Sequence, residues 1–263
     1  MRFTKMQGLG NDYLYVYGEV PENIASLSEK LSDRHFGAGS DGMIFIMPSA
    51  AADFRMRIFN ADGSEAMMCG NGIRCVGKYV YEKKLTEKTE LTIETNSGIR
   101  TIMLEETNGR IASVSVKMGK AEVSEPVTVS IQGQEYEVIP VSVGNPHAVI
   151  MTNCAEAIPL AKIGPMIEHH PLFPGGVNAE FAEKTGENRL RMRVWERGSG
   201  ITMACGTGAS ASAAAAASLG LCAFDAPITV LLDGGPLEIT VSESYEITMK
   251  GPAEFVYEGE AYL

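Results

Sequence analysis

The chain has 263 residues, 45% of them hydrophobic, enough for one large domain or two of ordinary size with real cores. Its 22 Lys and Arg face 33 Asp and Glu, a formal charge of −11, so no surplus of cations is left to neutralise phosphates and no nucleic-acid partner is expected. No apolar run approaches the roughly 18–20 residues of a membrane span, and "MRFTKMQGLGNDY" at the start lacks the pattern of a secretion signal, so the expectation is a soluble, cytoplasmic protein with no membrane partner.

Taken in order, "DYLYVYG" and "FRMRIFN" alternate in the manner of strands, and a polar turn then leads to Cys69. Next comes "GIRCVGKYVYEKK", with Ile73, Val76, Val80 and Tyr81 at helical spacing. The β-rich stretches "ELTIETNSGIRTIMLEE" and "GRIASVSVKMG" follow. In the second half, the alanine-rich "GASASAAAAASLG" after Cys205 predicts a helix that stops at Gly220. Strand-like "PITVLLDGGPLEITVSE" and "YEITMKGPAEFVYEG" close the chain.

The two halves repeat one another. "RIFNADGSEAMMCGNG" (57–72) lies over "RVWERGSGITMACGTG" (193–208) at an offset of 136, pairing Arg57 with Arg193, Phe59 with Trp195, Asn60 with Glu196, Met67 with Met203 and Cys69 with Cys205. "GLGNDYLYV" (8–16) lies over "SVGNPHAVI" (142–150) at nearly the same offset, matching Asn11 to Asn145. One repeat of about half the chain length means two similar domains in tandem rather than a solenoid. The expected fold is α+β: two pseudo-symmetric domains, each a curved, barrel-like, mainly antiparallel sheet around a central helix. Their expected spans are 1–120 and 121–250, with the boundary near "GKAEVSEPV" (119–127), the C-terminal strand 251–263 packing with the first domain, and the active site in the cleft between the two.

A cysteine at a helix start sits where unpaired N–H groups and the helix dipole favour a thiolate, and where Gly70, Asn71, Gly206 and Thr207 offer amides to a carboxylate. Two such thiols flanking one carbon acid would let one remove the α-proton while the other delivers a proton to the opposite face, inverting the centre. Helix ends aimed at the carboxylate would stabilise the carbanion, and a closed, dry cleft would strengthen that effect. Neither "GLGND" nor "GAGSDG" completes a G-x-G-x-x-G turn and no Walker-type loop is present. A pyridoxal Schiff base is not required by anything in the chain, so the expectation is no cofactor.

"GNDY" (10–13), "FNADGSEAMMCGNGIRC" (59–75), "GNPHAV" (144–149) and "ERGSGITMACGTGA" (196–209) together resemble the diaminopimelate epimerases, and the resemblance runs through essentially the whole chain. It implies a pyridoxal-independent enzyme that interconverts LL- and meso-2,6-diaminopimelate, and a homodimer. It further implies Cys69 as proton donor and Cys205 as acceptor in the LL-to-meso direction, with His147 and Glu196 tuning the cysteines or gripping the reacting amine. The substrate would be held by Asn11, Asn60, Gly70, Asn71, Asn145, Asn178, Glu196, Arg197, Gly206 and Thr207, with Arg197 as a bidentate clamp on the distal carboxylate. The chain departs from the family at Gly42, where some members carry a substrate-contacting glutamine, and at Ala179, where valine is usual.

Blander readings compete. Buried core thiols are common, and a lone cysteine would favour them, but duplication in the same turn favours catalysis. The odd, scattered set of five cysteines reads as free thiols, with Cys75, Cys154 and Cys222 structural. Cys75 completes no C-x-x-C pair and has no nearby histidine, so no metal site is expected. His147 is placed on a loop or strand edge, and His35, His169 and His170 on the surface or at helix ends. Rival functions are another racemase of the same fold, acting on histidine, proline or hydroxyproline; a noncatalytic two-lobed binding protein; and a thiol-disulfide switch.

Overall fold

The computed structural model describes residues 1–262; Leu263, the last residue of the expected C-terminal strand, lies outside the described residues. The chain divides into two compact units, Met1–Val116 with the residues from Gly251 onward, and Lys117–Lys250.

The first unit begins with β1 (Arg2–Gly8), β2 (Asn11–Tyr17), α1 (Ile24–Ser32), β3 (Gly42–Met47), β4 (Phe54–Asn60) and β5 (Glu65–Ala66). It continues through α2 (Gly70–Glu82), β6 (Glu90–Thr95), β7 (Gly98–Thr107) and β8 (Arg110–Lys120), whose last four residues enter the second unit. There follow β9 (Glu122–Val123), β10 (Val127–Ile131), β11 (Gln134–Ser142), β12 (Pro146–Thr152), α3 (Leu160–Glu168), β13 (Asn178–Gly186), β14 (Arg189–Glu196), β15 (Gly200–Ile201) and α4 (Gly206–Ser218). Then β16 (Pro227–Leu232), β17 (Gly235–Val241) and β18 (Glu246–Gly251) complete the second unit, and β19 (Glu254–Glu260) pairs with β1.

The pairings repeat. In the first unit β1–β2 is antiparallel, β2–β3 parallel, β3–β4 antiparallel, β4–β6 parallel, and β6–β7 and β7–β8 antiparallel. In the second the same sequence of senses runs through β11, β12, β13, β14, β16, β17 and β18. The tandem α+β architecture expected from the duplication is the one observed. The repeat also extends to an element that its motifs do not announce: α1 and α3, nine residues each, lie at the same offset as α2 and α4.

Each unit wraps its sheet around a central helix. Eleven of the 13 residues of α2 are buried, and eleven of the 13 of α4, which a helix on a sheet surface would not allow. Small residues make this possible. In α2 a side chain on Gly77 would run into Ile102 Cδ1 at 2.7 Å and Leu104 Cδ2 at 2.8 Å, while α4 presents an unbroken run from Ala213 to Ala217 to its strands. The helix ends at Leu219, and Gly220 takes φ +69°, a conformation that L side chains other than Asn and Asp adopt at a cost.

The outer helices α1 and α3 bury one face each. Leu27 and Leu31 pack with Phe45 and Phe59, and Ile163 and Ile167 pack with Phe181, leaving Trp195 against the edge of that second core. Gly164 lies flat on the Trp195 indole: a Cβ there would stand 2.6 Å from both Trp195 Cβ and Cδ2. Gly164→Ala is therefore expected to destabilise the protein by about 1–3 kcal/mol through overpacking, read as a lower urea midpoint with an unchanged m-value.

Candidate active site in two half-sites

Each unit presents one cysteine as the N-cap of its central helix. Cys69 has extended backbone angles, φ −138° and ψ 117°, and its Sγ accepts the N–H of Gly72 at 3.3 Å. Cys205, at φ −115° and ψ 109°, accepts the N–H of Gly208 at 3.3 Å. The third helical N–H thus goes to sulfur in both units. Helix geometry gives the first two, on Gly70 and Asn71 and on Gly206 and Thr207, no intrahelical carbonyl.

Around Cys69, the thiol donates to Asn11 Oδ1 at 3.3 Å, and Asn11 Nδ2 donates to Asp41 Oδ2 at 2.8 Å. A carboxylate only accepts, so Asp41 fixes which way the Asn11 amide faces. Asp41 is itself held by the Asp12 backbone N–H at 3.0 Å and by Arg34, whose Nη2 reaches Asp41 at 2.9 Å and Asp12 at 2.8 Å. Burial pushes the Asp41 carboxyl up, and the neighbouring Asp12 charge adds to this; at Asp12 burial pushes the same way, but bonds from Arg34 and Lys5 outweigh it and hold that carboxyl low. Asn60, at the end of β4, donates to Ser64 Oγ at 3.0 Å.

Gly42 opens β3 with φ +151°, and a Cβ there would collide with the Phe59 carbonyl. A side chain at this position is therefore incompatible with this backbone, so its absence is built into the strand.

Around Cys205 the groups are more polar. His147 is only 1% exposed, within β12 rather than on the loop or strand edge expected from sequence. Its Nδ1 is 2.7 Å from Glu180 Oε1 and its Nε2 3.0 Å from Asn145 Oδ1. Asn145 Nδ2 donates to Thr207 Oγ1 at 3.3 Å, and that hydroxyl lies 3.5 Å from Cys205 Sγ. A single hydrogen-bonded line therefore runs from Glu180 to the sulfur. Glu196 accepts from Thr202 and also meets the Cys205 thiol. Burial, and then the charges of Glu196 and Glu180, hold the Cys205 thiol well above its ordinary range. A sulfur so placed is a weak acid but, once ionised, a strong base, which suits removal of a poorly acidic α-proton.

Asn178 spends its amide on the frame: Nδ2 donates to Pro146 O at 2.9 Å and Oδ1 accepts the Arg197 backbone N–H at 2.9 Å. Glu168, on α3, grips the same turn through Gly198 N at 2.9 Å and Trp195 Nε1 at 2.6 Å. Arg197 is exposed, with Nη1 on Gly175 O at 3.2 Å, on a turn fixed at its backbone while its head faces solvent.

Burial raises the Glu196 pKa above 4.5. The fold therefore favours the protonated acid, and this contribution to stability is complete below about 4.3 and disappears as pH rises through the raised value. Glu196→Gln is expected to be more stable than the parent in urea near pH 8 and equal to it near pH 4; equal midpoints at both pH values would contradict this.

Of the remaining cysteines, Cys75 and Cys222 are buried, as expected of structural thiols, but Cys154 is exposed at the cap of a short 3-10 turn and supports no core. Burial pushes Cys75 up to about 11. Iodoacetamide at about pH 8 is expected to alkylate Cys154 and leave Cys75 untouched in the folded protein, as peptide mass spectrometry would show. Asp41, Glu180 and Thr202 are site residues that the motifs did not single out.

A family profile described as diaminopimelate epimerase matches residues 3–124 and 139–256. The diaminopimelate epimerase of Acetivibrio thermocellus is 49% identical over 279 residues, covering 100% of this chain and 99% of its own. That of Methanococcus maripaludis strain S2 is 49% identical over 276 residues, covering 99% of each. Among solved structures, a phenazine biosynthesis protein of the PhzF family from Bacillus anthracis has a TM-score of 0.78 at 21% identity, covering 100% of this chain and 99% of that one. A probable proline racemase from Agrobacterium radiobacter has a TM-score of 0.76 at 19% identity, covering 100% and 93%. These structures share the fold; with the family match and near-half identity over the full length, the chain belongs to the diaminopimelate epimerase family and is an isomerase.

Proposed function

We propose that this chain interconverts LL- and meso-2,6-diaminopimelate without a cofactor, with Cys69 and Cys205 on opposite faces of one α-carbon. The observation that carries this reading is the duplicated cap: in both units a cysteine ends an extended segment, opens a 13-residue buried helix and takes its third N–H. In the LL-to-meso direction Cys205 removes the α-proton and Cys69 returns one to the other face; the roles exchange in reverse. The first-turn amides of Gly70, Asn71, Gly206 and Thr207 receive the reacting carboxylate, where helix dipoles oppose the charge that grows on it in the carbanion.

His147 and Glu196 tune the cysteines or take the reacting amine. Asn11, Asn60 and Asn145 offer both donor and acceptor atoms to the ammonium and carboxylate groups, while Asn178 serves the substrate through the turn that carries Arg197. Arg197 takes the distal carboxylate. The protein acts in the cytoplasm as a homodimer; the exposed Val256 and Tyr257 of β19 offer apolar surface for such a contact.

Incubation with LL-diaminopimelate in heavy water, beside proline, hydroxyproline and histidine, tests the assignment. α-Deuterium is expected in diaminopimelate alone. Deuterium in one of the other amino acids and none in diaminopimelate would move the chain to another racemase of the same fold.

A further inference from the structure

The two half-sites share one frame, yet the charges buried beneath their cysteines are opposite. At the 136-residue offset Gly72 matches Gly208, and the slot below each is filled differently. Nearest to where a Cβ on Gly72 would sit is Ile44 Cδ1 at 2.7 Å; for Gly208 it is Glu180 Oε1 at 2.8 Å, with Cys205 Sγ at 3.2 Å. Ile44 and Glu180 are themselves equivalent by the same offset, so one packing position holds a methyl group in the first unit and a carboxylate in the second.

The helix interiors differ in the same sense. Arg74 and Ser210 are equivalent positions. Arg74 Nη1 donates to Gly70 O at 3.3 Å, and Ser210 Oγ donates to the matching carbonyl of Gly206 at 2.9 Å. A guanidinium, 0% exposed, therefore lies one turn below Cys69 where a neutral hydroxyl lies below Cys205. Glu180 is also 0% exposed, and its Oε2 has no hydrogen-bond partner among the described residues. A half-satisfied buried carboxylate costs stability, and a neutral residue would fill this slot without that cost, as Ile44 does in the other unit.

We propose that Arg74 and Glu180 are positioning residues that make the two thiols chemically unequal, biasing Cys69 to give up a proton and Cys205 to take one. A helix N-terminus alone favours a thiolate equally at both caps. Arg74 adds to that field at Cys69; Glu180 opposes it at Cys205. Asn11, Tyr15 and Cys75 also act on Cys69, and Glu196 and Thr207 on Cys205, while His147 meets Glu180 and Asn145 rather than the sulfur. Glu196 acts in the same direction as Glu180. The favoured pair is a Cys69 thiolate with a Cys205 thiol, the state that opens the meso-to-LL direction and completes the LL-to-meso one, and the bias rests on the proposed roles for its meaning in turnover.

The test needs no substrate, so it stands apart from the choice of amino acid. Alkylation of Cys69 and Cys205 by iodoacetamide is followed against pH in the full-length protein, with each cysteine resolved by peptide mass spectrometry. In the parent, Cys69 is expected to reach half-maximal reactivity at lower pH than Cys205. Glu180→Gln, which keeps shape and one acceptor, is expected to bring the Cys205 midpoint down towards that of Cys69 and leave Cys69 unmoved. Arg74→Met should raise the Cys69 midpoint alone. Should Arg74→Met fail to fold, the near-isosteric Glu180→Gln decides by itself. In turnover, Glu180→Gln is expected to lower kcat by about 10- to 100-fold with little change in KM. Coincident midpoints in the parent, or a Glu180→Gln profile in which neither or both cysteines move, would overturn the proposal.

Discussion

Cys69→Ala and Cys205→Ala are each expected to lower epimerisation by at least about 10³-fold, because a removed proton carrier costs about 10²–10⁴ and inversion needs one on each face. The two variants should nevertheless fail in opposite ways. With Cys69 gone, Cys205 still reaches the α-hydrogen of LL-diaminopimelate, so that hydrogen exchanges with heavy water while the configuration is retained. With Cys205 gone, the exchanging hydrogen is the one at the D-centre of the meso isomer. Measuring α-deuterium and configuration together, in each variant and from each isomer, separates the roles of the two sulfurs. A variant that still inverts near the parental rate would mean that a single base serves both faces, and the two-thiol reading would be withdrawn. A protein that merely closed on its ligand would keep its affinity in both variants and exchange nothing.

What the sequence made legible follows from which contacts are local. The repeat, both capping cysteines and the two central helices could all be read because cap, glycine and alanine act within a single turn. The outer helices could not. Segment 160–168 carries Gly164 and Pro165 inside it, and it stays helical because Ile163 and Ile167 dock on a core built from distant strands. Glu180 escaped notice for a related reason. It stands between Ala179 and Phe181 in a strand buried on both faces, where burial gives no alternating pattern to mark it. The signal available was the repeat itself, which sets Glu180 against Ile44 and Arg74 against Ser210. His147 was misplaced on a loop or strand edge because Asn145 and Pro146 read as a turn, whereas its parallel pairing with Asn178 draws it into the core.

Gly208→Ala and Gly72→Ala place the same methyl group at equivalent points of the two helices, and the first is expected to cost far more. Beneath Gly72 the methyl meets Ile44 Cδ1, the far end of a flexible apolar side chain that can turn aside, with Cys69 Cβ at an ordinary 3.4 Å. The expected loss is about 1–2 kcal/mol, within the usual range for overpacking. Beneath Gly208 the methyl meets Glu180 Oε1 and Cγ, and Glu180 cannot retreat without giving up its 2.7 Å bond to His147 in a site where neither side chain reaches water. Overpacking then combines with a broken hydrogen bond to a charged group, worth a further 1.5–3 kcal/mol or so, for a total of about 3–5 kcal/mol. Urea unfolding of the two variants gives the comparison directly. Double variants then locate the cause: adding Glu180→Ala to Gly208→Ala should recover part of the loss by making room for the methyl, whereas the same addition to Gly72→Ala should only subtract. Equal costs at the two glycines would mean that the carboxylate beneath Cys205 is not held in place by His147, and that the half-sites are closer to alike than their buried charges imply.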